Sequence, residues 1–374
     1  MAKGDFYTKG FDQGTQSKLT FFREYFREAF PVFLYHKYLD GIYICDFFAG
    51  AGMDNQGIYG SPLLILDGMK SYCLQREKRK IDRNIKIIFN DLKESEPLKN
   101  NVGTFVENCK RENGCTTCQY FDHIIIEQKD FQDYFPEIIQ QLKSKVYQSY
   151  GKLLFIDPFN LAFNKTVFAE LSNVKLLDFI AFIPSSYLKR FEHFQKNFAV
   201  TADEIKSTQP EHIHKVVAES FERLIPPEKE YYVAHFSIAK GSTNKYGIVF
   251  GSNHAYGAEK FLRICWELDK ETGQADYNID REPTKDRMQS LFVEYGTPLK
   301  LKIYRDELRM KVLNGDLKTD YEIYCFTLKR KCLTWHANEV LKELAAEGRI
   351  DKITLKSTCH KLAKREKQKE VILK

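Results

Sequence analysis

Apolar and polar positions along this 374-residue chain alternate with two periods, and that alternation defines most of its elements. Short apolar runs rich in β-branched and aromatic residues recur at about 42–48, 85–90, 121–126, 152–157, 177–183, 231–238 and 245–251, and these read as strands. Between most of them lie stretches with apolar residues every three or four positions, at about 62–80, 94–110, 132–149 and 164–174, which read as amphipathic helices. Residues 17–36 carry the same helical spacing, with a break expected near Pro31. Alternating strand and helix predicts an α/β fold: a mostly parallel, seven-stranded sheet covered on both faces. Only the short Gly241-Ser242-Thr243-Asn244 loop separates the last two runs, so they are expected to form a hairpin with one antiparallel strand entering the sheet.

Two further segments complete the outline. Residues 185–229 are too long for a bare loop in a compact domain, and a helical insertion over the active face is expected there. Its Tyr187, Lys189, Arg190, Phe191, Phe194, Lys196, His212, His214 and Lys215 interleave basic and aromatic side chains. That mixture suits phosphate contact and base stacking, and an ordinary amphipathic helix pair fits it equally. From about Glu282 the chain changes character. One helix is expected at 318–330, and Thr334 is expected to cap a second running from Trp335 to Gly348. A short strand over Ile350–Leu355 would follow, so 282–374 reads as a winged-helix-like domain beside a main domain of 1–281. The second helix carries a single Lys, Lys342, which favours contact with nucleic acid backbone or protein over base reading.

The candidate chemistry sits where strands end. The first run closes on Asp46 and opens into Phe47-Phe48-Ala49-Gly50-Ala51-Gly52, with Gly57, Gly60 and then Pro62 at a helix start. A strand feeding a glycine loop and a helix lets backbone approach a ligand closely. The fourth run closes on Asp157-Pro158-Phe159-Asn160. Together these segments resemble a S-adenosylmethionine-dependent methyltransferase. Asp46 to Gly52 resembles the cofactor loop of that fold. Asp157-Pro158-Phe159-Asn160 resembles the Asp/Asn-Pro-Pro-Tyr/Phe tetrapeptide of enzymes that methylate exocyclic amines of bases, adenine N6 foremost. Phe159 stands where the second proline is usual, and Asn160 where an aromatic is usual. The likeness extends over nearly the whole chain, from Ser17-Lys18-Leu19 to the region Trp335–Ile350, to a bacterial family called three-Cys-motif partner proteins.

That resemblance implies a Rossmann-like seven-stranded methyltransferase sheet and S-adenosylmethionine as cofactor. It implies nucleic acid as substrate and a partner protein encoded nearby. Lys18, Asp46, Phe48, Gly50 and Gly52 would face the cofactor. Asp91, closing the second strand, would accept both ribose hydroxyls, since one carboxylate matches two donors. Asp130 and Phe131, after the third strand, would contact the adenine amine and ring. Both aspartates also read as helix caps. Asp157 and the Pro158 carbonyl would hold the acceptor amine while Phe159 packs on the base, and the work would be mostly alignment. A buried Asp-Pro turn without chemistry fits the same residues. The likeness also leaves room for a methyltransferase-like partner that does not itself catalyse.

Composition narrows the class. The chain is 43% hydrophobic, no apolar run reaches membrane-spanning length, and the first residues are polar rather than signal-like. Nine cysteines without a secretory signal predict a reducing, cytoplasmic setting. Cys109, Cys115 and Cys118 form a C-x5-C-x2-C cluster that reads as a candidate structural zinc site if His123 or Cys73 supplies a fourth ligand, and otherwise as reduced loop cysteines. The net charge of +6 is placed unevenly: residues 352–374 hold eight Lys/Arg against two Asp/Glu, so this end alone accounts for all of it. A basic tail touching phosphates and a solvated terminal helix both fit.

Overall fold

The computed structural model describes residues 10–79, 83–118, 120–158, 162–183, 198–240, 244–277, 279, 297–363 and 368–374. Seven strands form one sheet: β1 Gly41–Asp46, β2 Asn84–Asn90, β3 Ile124–Glu127, β4 Tyr150–Ile156, β5 Leu177–Ile183, β6 Tyr232–Lys240 and β7 Asn244–Ser252. Their order is β3-β2-β1-β4-β5-β7-β6. The first five are parallel, and β7 runs antiparallel to both β5 and β6. The expected hairpin is therefore present. Strand order reverses between β1 and β4, which places a crevice beyond their carboxyl ends.

Successive side chains of β1 point to opposite faces, and each face has its own cover. Ile42 and Ile44 join a core with α1 (Gln13–Leu34), α2 (Ser61–Arg79) and α3 (Ser95–Asn113). Tyr43 and Cys45 join a second core with α4 (Phe131–Lys143) and α5 (Lys165–Ser172). The helix α1 begins at Asp12, whose carboxylate accepts from Thr15 N at 2.8 Å. It buries Phe22, Phe26, Ala29 and Phe30, a spacing of three and four that fits one helical face. Pro31 does not break it. Proline so near the end of the helix removes one backbone hydrogen bond, while buried Phe30 and Leu34 hold the last turn. The strand β3 is shorter than its apolar run suggested. Tyr120 and Phe121 are buried from a turn, so their apolarity anchors the turn, and His123 lies outside the strand on the surface.

Two α-helices of the expected insertion are described, α6 (Ala202–Ser207) and α7 (Ile213–Arg223), with a 3-10 turn at Pro210–His212 between them. The helix α7 packs Val217 and Phe221 into the second core, and Phe221 stacks on Phe168 of α5 with centroids 4.7 Å apart. This part therefore covers a sheet face instead of capping the site, because its apolar stripe has the sheet as partner. Tyr187, Lys189, Arg190, Phe191, Phe194 and Lys196 lie outside the described residues.

The chain continues through α8 (Ala255–Leu268) to α9 (Leu299–Leu313), α10 (Asp320–Lys329) and α11 (Thr334–Ala346). Thr334 is the first helical residue of α11 rather than its cap, and Gly348 ends that helix region at φ 69°. The carboxyl-terminal helices are tied to α8 by polar contacts, of which that of Tyr324 is buried. Tyr324 donates to Glu259 at 2.7 Å, Arg263 pairs with the same carboxylate at 2.6 Å, and Trp266 Nε1 donates to Lys331 O at 3.0 Å.

The chain end is not a free tail. Val371 N donates to Lys318 O at 2.8 Å and Asp351 N donates to Ile372 O at 2.9 Å, so residues 368–374 run between 318–320 and 349–351. Of the strand expected at 350–355, Ile350 alone is bridged, to Leu373. No helix among the described residues is long and apolar enough to cross a membrane.

Candidate cofactor and acceptor site

The glycine loop is built by buried carboxylates that accept backbone N–H groups. Asp46, 1% exposed at the end of β1, accepts from Phe48 N at 3.1 Å and from Ser61 Oγ at 2.6 Å. Ser61 is the first residue of α2, so this contact joins the two ends of the loop. Burial pushes the Asp46 carboxyl up to about 7, the Ser61 and Phe48 bonds pull it down, and the Asp157 and Asp91 charges push it further up. Asp54, also buried, accepts from Gln56 N at 2.9 Å and Ile58 N at 2.8 Å, and from Phe11 N at 2.8 Å. It shapes the tip of the loop and fastens the segment before α1 to it. Gly60 N donates to Gly52 O at 2.8 Å, closing the base. Gly50 and Gly52 have φ of 59° and 81°, a region that side chains with Cβ enter with strain.

The next loop is tied in the same way. Asp91, which follows β2, accepts from Gly50 N, Lys93 N and Glu94 N, each at 2.9 Å. The carboxylate thus welds the glycine loop to the turn before α3, and three of its acceptor positions are in use. Asn90 donates to Phe47 O at 3.1 Å and Lys129 O at 3.0 Å, and accepts from Lys129 N at 3.0 Å. One buried amide so aligns the ends of β1, β2 and β3. From α3, Asn101 donates to Ala51 O at 2.8 Å. Asp54, Asn90, Ser61 and Asn101 were not singled out from the sequence. A lone Asn closing the apolar run Ile85–Phe89 is a signal for the second of these.

The remaining predicted residues line the crevice. Asp130 caps α4, accepting from Gln132 N at 2.8 Å, and its carboxylate is exposed. Phe131 packs its ring against Phe48 with centroids 5.1 Å apart, so two of the expected cofactor residues meet. Asp157 lies just past β4, the neighbour of β1, with Pro158 buried behind it. Phe159 and Asn160 lie outside the described residues. Lys18, from α1, reaches Asp157 Oδ2 at 2.5 Å. Its ammonium also sits over the rings of Phe182, 4.7 Å from the centroid, and Tyr246, at 5.1 Å. The two polar residues with most to offer a ligand, Lys18 and Asp157, are therefore partners, with Asp157 39% exposed and Lys18 13%.

The cysteine cluster stands apart from this crevice. Among the described residues, no group of three or more His, Cys, Asp and Glu is arranged to hold a metal ion. The zinc site expected from Cys109, Cys115 and Cys118 is thus not formed by the described residues. Cys115 is exposed and its thiol points to Asn113 O at 3.6 Å, while Cys118 is buried. His123 is exposed in the turn before β3.

No family model matches the chain, and no curated protein matches it. Among solved structures it is similar to a loganic acid methyltransferase with SAH, at 10% identity over 71% of this chain and 86% of that one, with a TM-score of 0.25. So slight a likeness bears no weight on function.

Proposed function

We propose that this protein is an S-adenosylmethionine-dependent methyltransferase that acts on an exocyclic amine of a nucleic acid base, adenine N6 foremost. The supporting observation is one edge of the sheet. A glycine loop after β1 lies beside an Asp-Pro turn after β4, at the point where strand order reverses. The seven-stranded order with its antiparallel last pair is the sheet that the resemblance called for. S-adenosylmethionine would lie across Gly50 and Gly52, with Phe48 and Phe131 beside the adenine and Asp130 at its amine. Transfer would form an N–C bond as the methyl C–S bond breaks, leaving a thioether, and the methylated amine would release one proton to solvent. This chain's part is to align nitrogen, carbon and sulfur, with the Asp157 carboxylate and the Pro158 carbonyl accepting hydrogen bonds from the amine N–H groups. Nucleic acid as partner, a winged-helix-like role for 282–374, a cytoplasmic setting and membership of the three-Cys-motif partner family belong to the same reading.

One observation favours a second reading, a partner protein that binds cofactor without catalysing. Lys18 already occupies an oxygen of Asp157. Calorimetry with S-adenosylmethionine tests the cofactor, and labelled-methyl transfer to DNA and RNA tests the chemistry. If Asp157 orients the amine, Asp157→Ala binds cofactor nearly as wild type does and loses transfer. Lys18→Met separates the readings. Transfer falling about tenfold or more would make Lys18 a positioning residue for Asp157. Transfer absent in wild type and in both variants would favour the partner reading, and absence of cofactor binding at millimolar concentration defeats both.

A further inference from the structure

Lys18 lies in the second turn of α1, and its ammonium sits in a seat built by three strands. Asp157 Oδ2, just past β4, is 2.5 Å from Nζ, the ring centroid of Phe182 on β5 is 4.7 Å away, and that of Tyr246 on β7 is 5.1 Å away. A carboxylate beside two aromatic faces suits an alkylammonium: the carboxylate accepts its hydrogen bonds, and the negative ring faces hold the charge whether the nitrogen carries hydrogens or methyl groups. The place of this seat is fixed from both sides. Phe11 N, just before α1, donates to Asp54 at the tip of the glycine loop at 2.8 Å. Asp46 pairs in register with Phe155, so Asp157 stands two residues beyond the level at which that loop begins. The start of α1 is thus fastened to the glycine loop while its lysine reaches the Asp-Pro turn.

We infer that Lys18 is itself a methyl acceptor: with S-adenosylmethionine bound, the protein methylates its own Lys18 ε-nitrogen. The inference rests on the cofactor reading above and not on nucleic acid as substrate. In that reading the acceptor amine donates N–H to the Asp157 carboxylate, and Lys18 is an amine that already does so. The step balances. The Lys18 ammonium gives one proton to Asp157, which is 39% exposed and passes it to solvent. Rotation about the Cε–Nζ bond then turns the freed lone pair toward the methyl group. The N–C bond forms as the C–S bond breaks, the sulfonium becomes a thioether, and the lysine becomes a methylammonium. Its charge is the same before and after, so the Phe182 and Tyr246 rings hold the product as they hold the reactant.

What changes is the number of donors, since each methyl group replaces one N–H. A fully methylated Lys18 has no hydrogen bond to give, and the oxygen of Asp157 that it now occupies would be open to an incoming amine.

The test incubates the full chain with S-adenosylmethionine carrying a deuterated methyl group, digests it at acidic residues and maps it by mass spectrometry. The expected result is heavy methyl on Lys18, at a rate per chain that does not depend on protein concentration, as transfer within one chain requires. Ordinary methyl already on Lys18 of the purified protein, and missing from Asp157→Asn made in the same host, supports the inference equally. Lys18→Arg should carry no label at this position. Asp157→Asn cannot take the proton, so it should bind cofactor in calorimetry yet label Lys18 at least about a hundredfold more slowly. Labelling of Asp157→Asn at the wild-type rate overturns the inference, as does label shared with exposed lysines such as Lys37. Calorimetry on the wild type separates the two levels of the argument. Cofactor bound with Lys18 bare overturns this inference and leaves the cofactor reading standing, whereas no cofactor bound at millimolar concentration defeats both.

Discussion

Asp91→Ala is expected to destabilise the protein by about 2.5–4 kcal/mol, because its carboxylate holds the carboxyl edge of the sheet together. The Asp91 side chain is 8% exposed and accepts three backbone N–H groups. Its bond to Gly50 N is buried, and a hydrogen bond to a charged group contributes about 1.5–3 kcal/mol. The bonds to Lys93 N and Glu94 N fix the turn leading into α3. Counted together as one cap, they add about 1 kcal/mol. The sum is a large share of the roughly 5–15 kcal/mol that keeps a domain folded. Urea unfolding followed by circular dichroism should show the midpoint falling with an unchanged slope. Asp91→Asn is the informative companion. Its oxygen can still serve Lys93 and Glu94, but its amide would meet the Gly50 N–H donor to donor, so about 1.5–3 kcal/mol should go. A purely ligand-binding Asp91 behaves differently: Asp91→Ala would unfold within about 0.5 kcal/mol of wild type and differ only in cofactor affinity. That result would refute the edge-holding role.

Two other perturbations probe the same loop. Asp46 is held up to about 7 in the fold against an ordinary carboxyl near 3.8. Between those values the folded chain binds more protons than the unfolded one, so stability falls as pH rises from about 4 to about 7. The full effect is on the order of 4 kcal/mol. Asp46→Asn should flatten that limb in pH-dependent urea titrations, and an unchanged limb would show that Asp46 is ionised throughout. At Gly52, φ is 81° and an added Cβ would lie 3.1 Å from Leu98 Cδ1, whereas at Gly57, φ 80°, it would meet open space. Gly52→Ala should therefore cost more than Gly57→Ala, which carries only backbone strain of about 1 kcal/mol. Equal losses in thermal unfolding would mean that Leu98 yields freely.

The strands were legible because buried parallel strands are nearly continuous apolar runs with polar ends, and Ile42–Cys45 and Leu153–Ile156 are such runs. Failures came where one residue type serves two purposes. Phe121 lengthened the apparent third strand, yet with Tyr120 it anchors a turn. Pro31 suggested a break, yet packing of Phe30 and Leu34 outweighs one lost hydrogen bond. The basic end looked like a tail because its charges are local, whereas the backbone pairing that fastens it comes from residues 318–320 and 349–351. In the site, Asp46, Gly50, Gly52 and Asp157 were legible from the strand ends. The contacts across the chain were not. Lys18 and Asp157 are 139 positions apart, and Asn101 meets Ala51 O from 50 positions away.

The polar residues of the carboxyl edge divide by what already occupies them. Asp46, Asp54, Asn90 and Asp91 are buried, and each makes at least two hydrogen bonds, at least one of which reaches another segment. Such groups fix the shape of the crevice, since a buried polar group with its bonds made resists rearrangement. Asp130 and Asp157 are different: the first is an exposed cap, and the second is a partly exposed carboxylate whose partner is a side chain. A ligand can compete with a side chain or take up a spare oxygen, but it cannot readily displace three amides from Asp91 without opening the loop. Shape therefore rests with the first set. In the proposed reaction, the choice of acceptor would rest with Asp157, with Lys18 beside it, and with the Phe182 and Tyr246 rings on which that lysine lies.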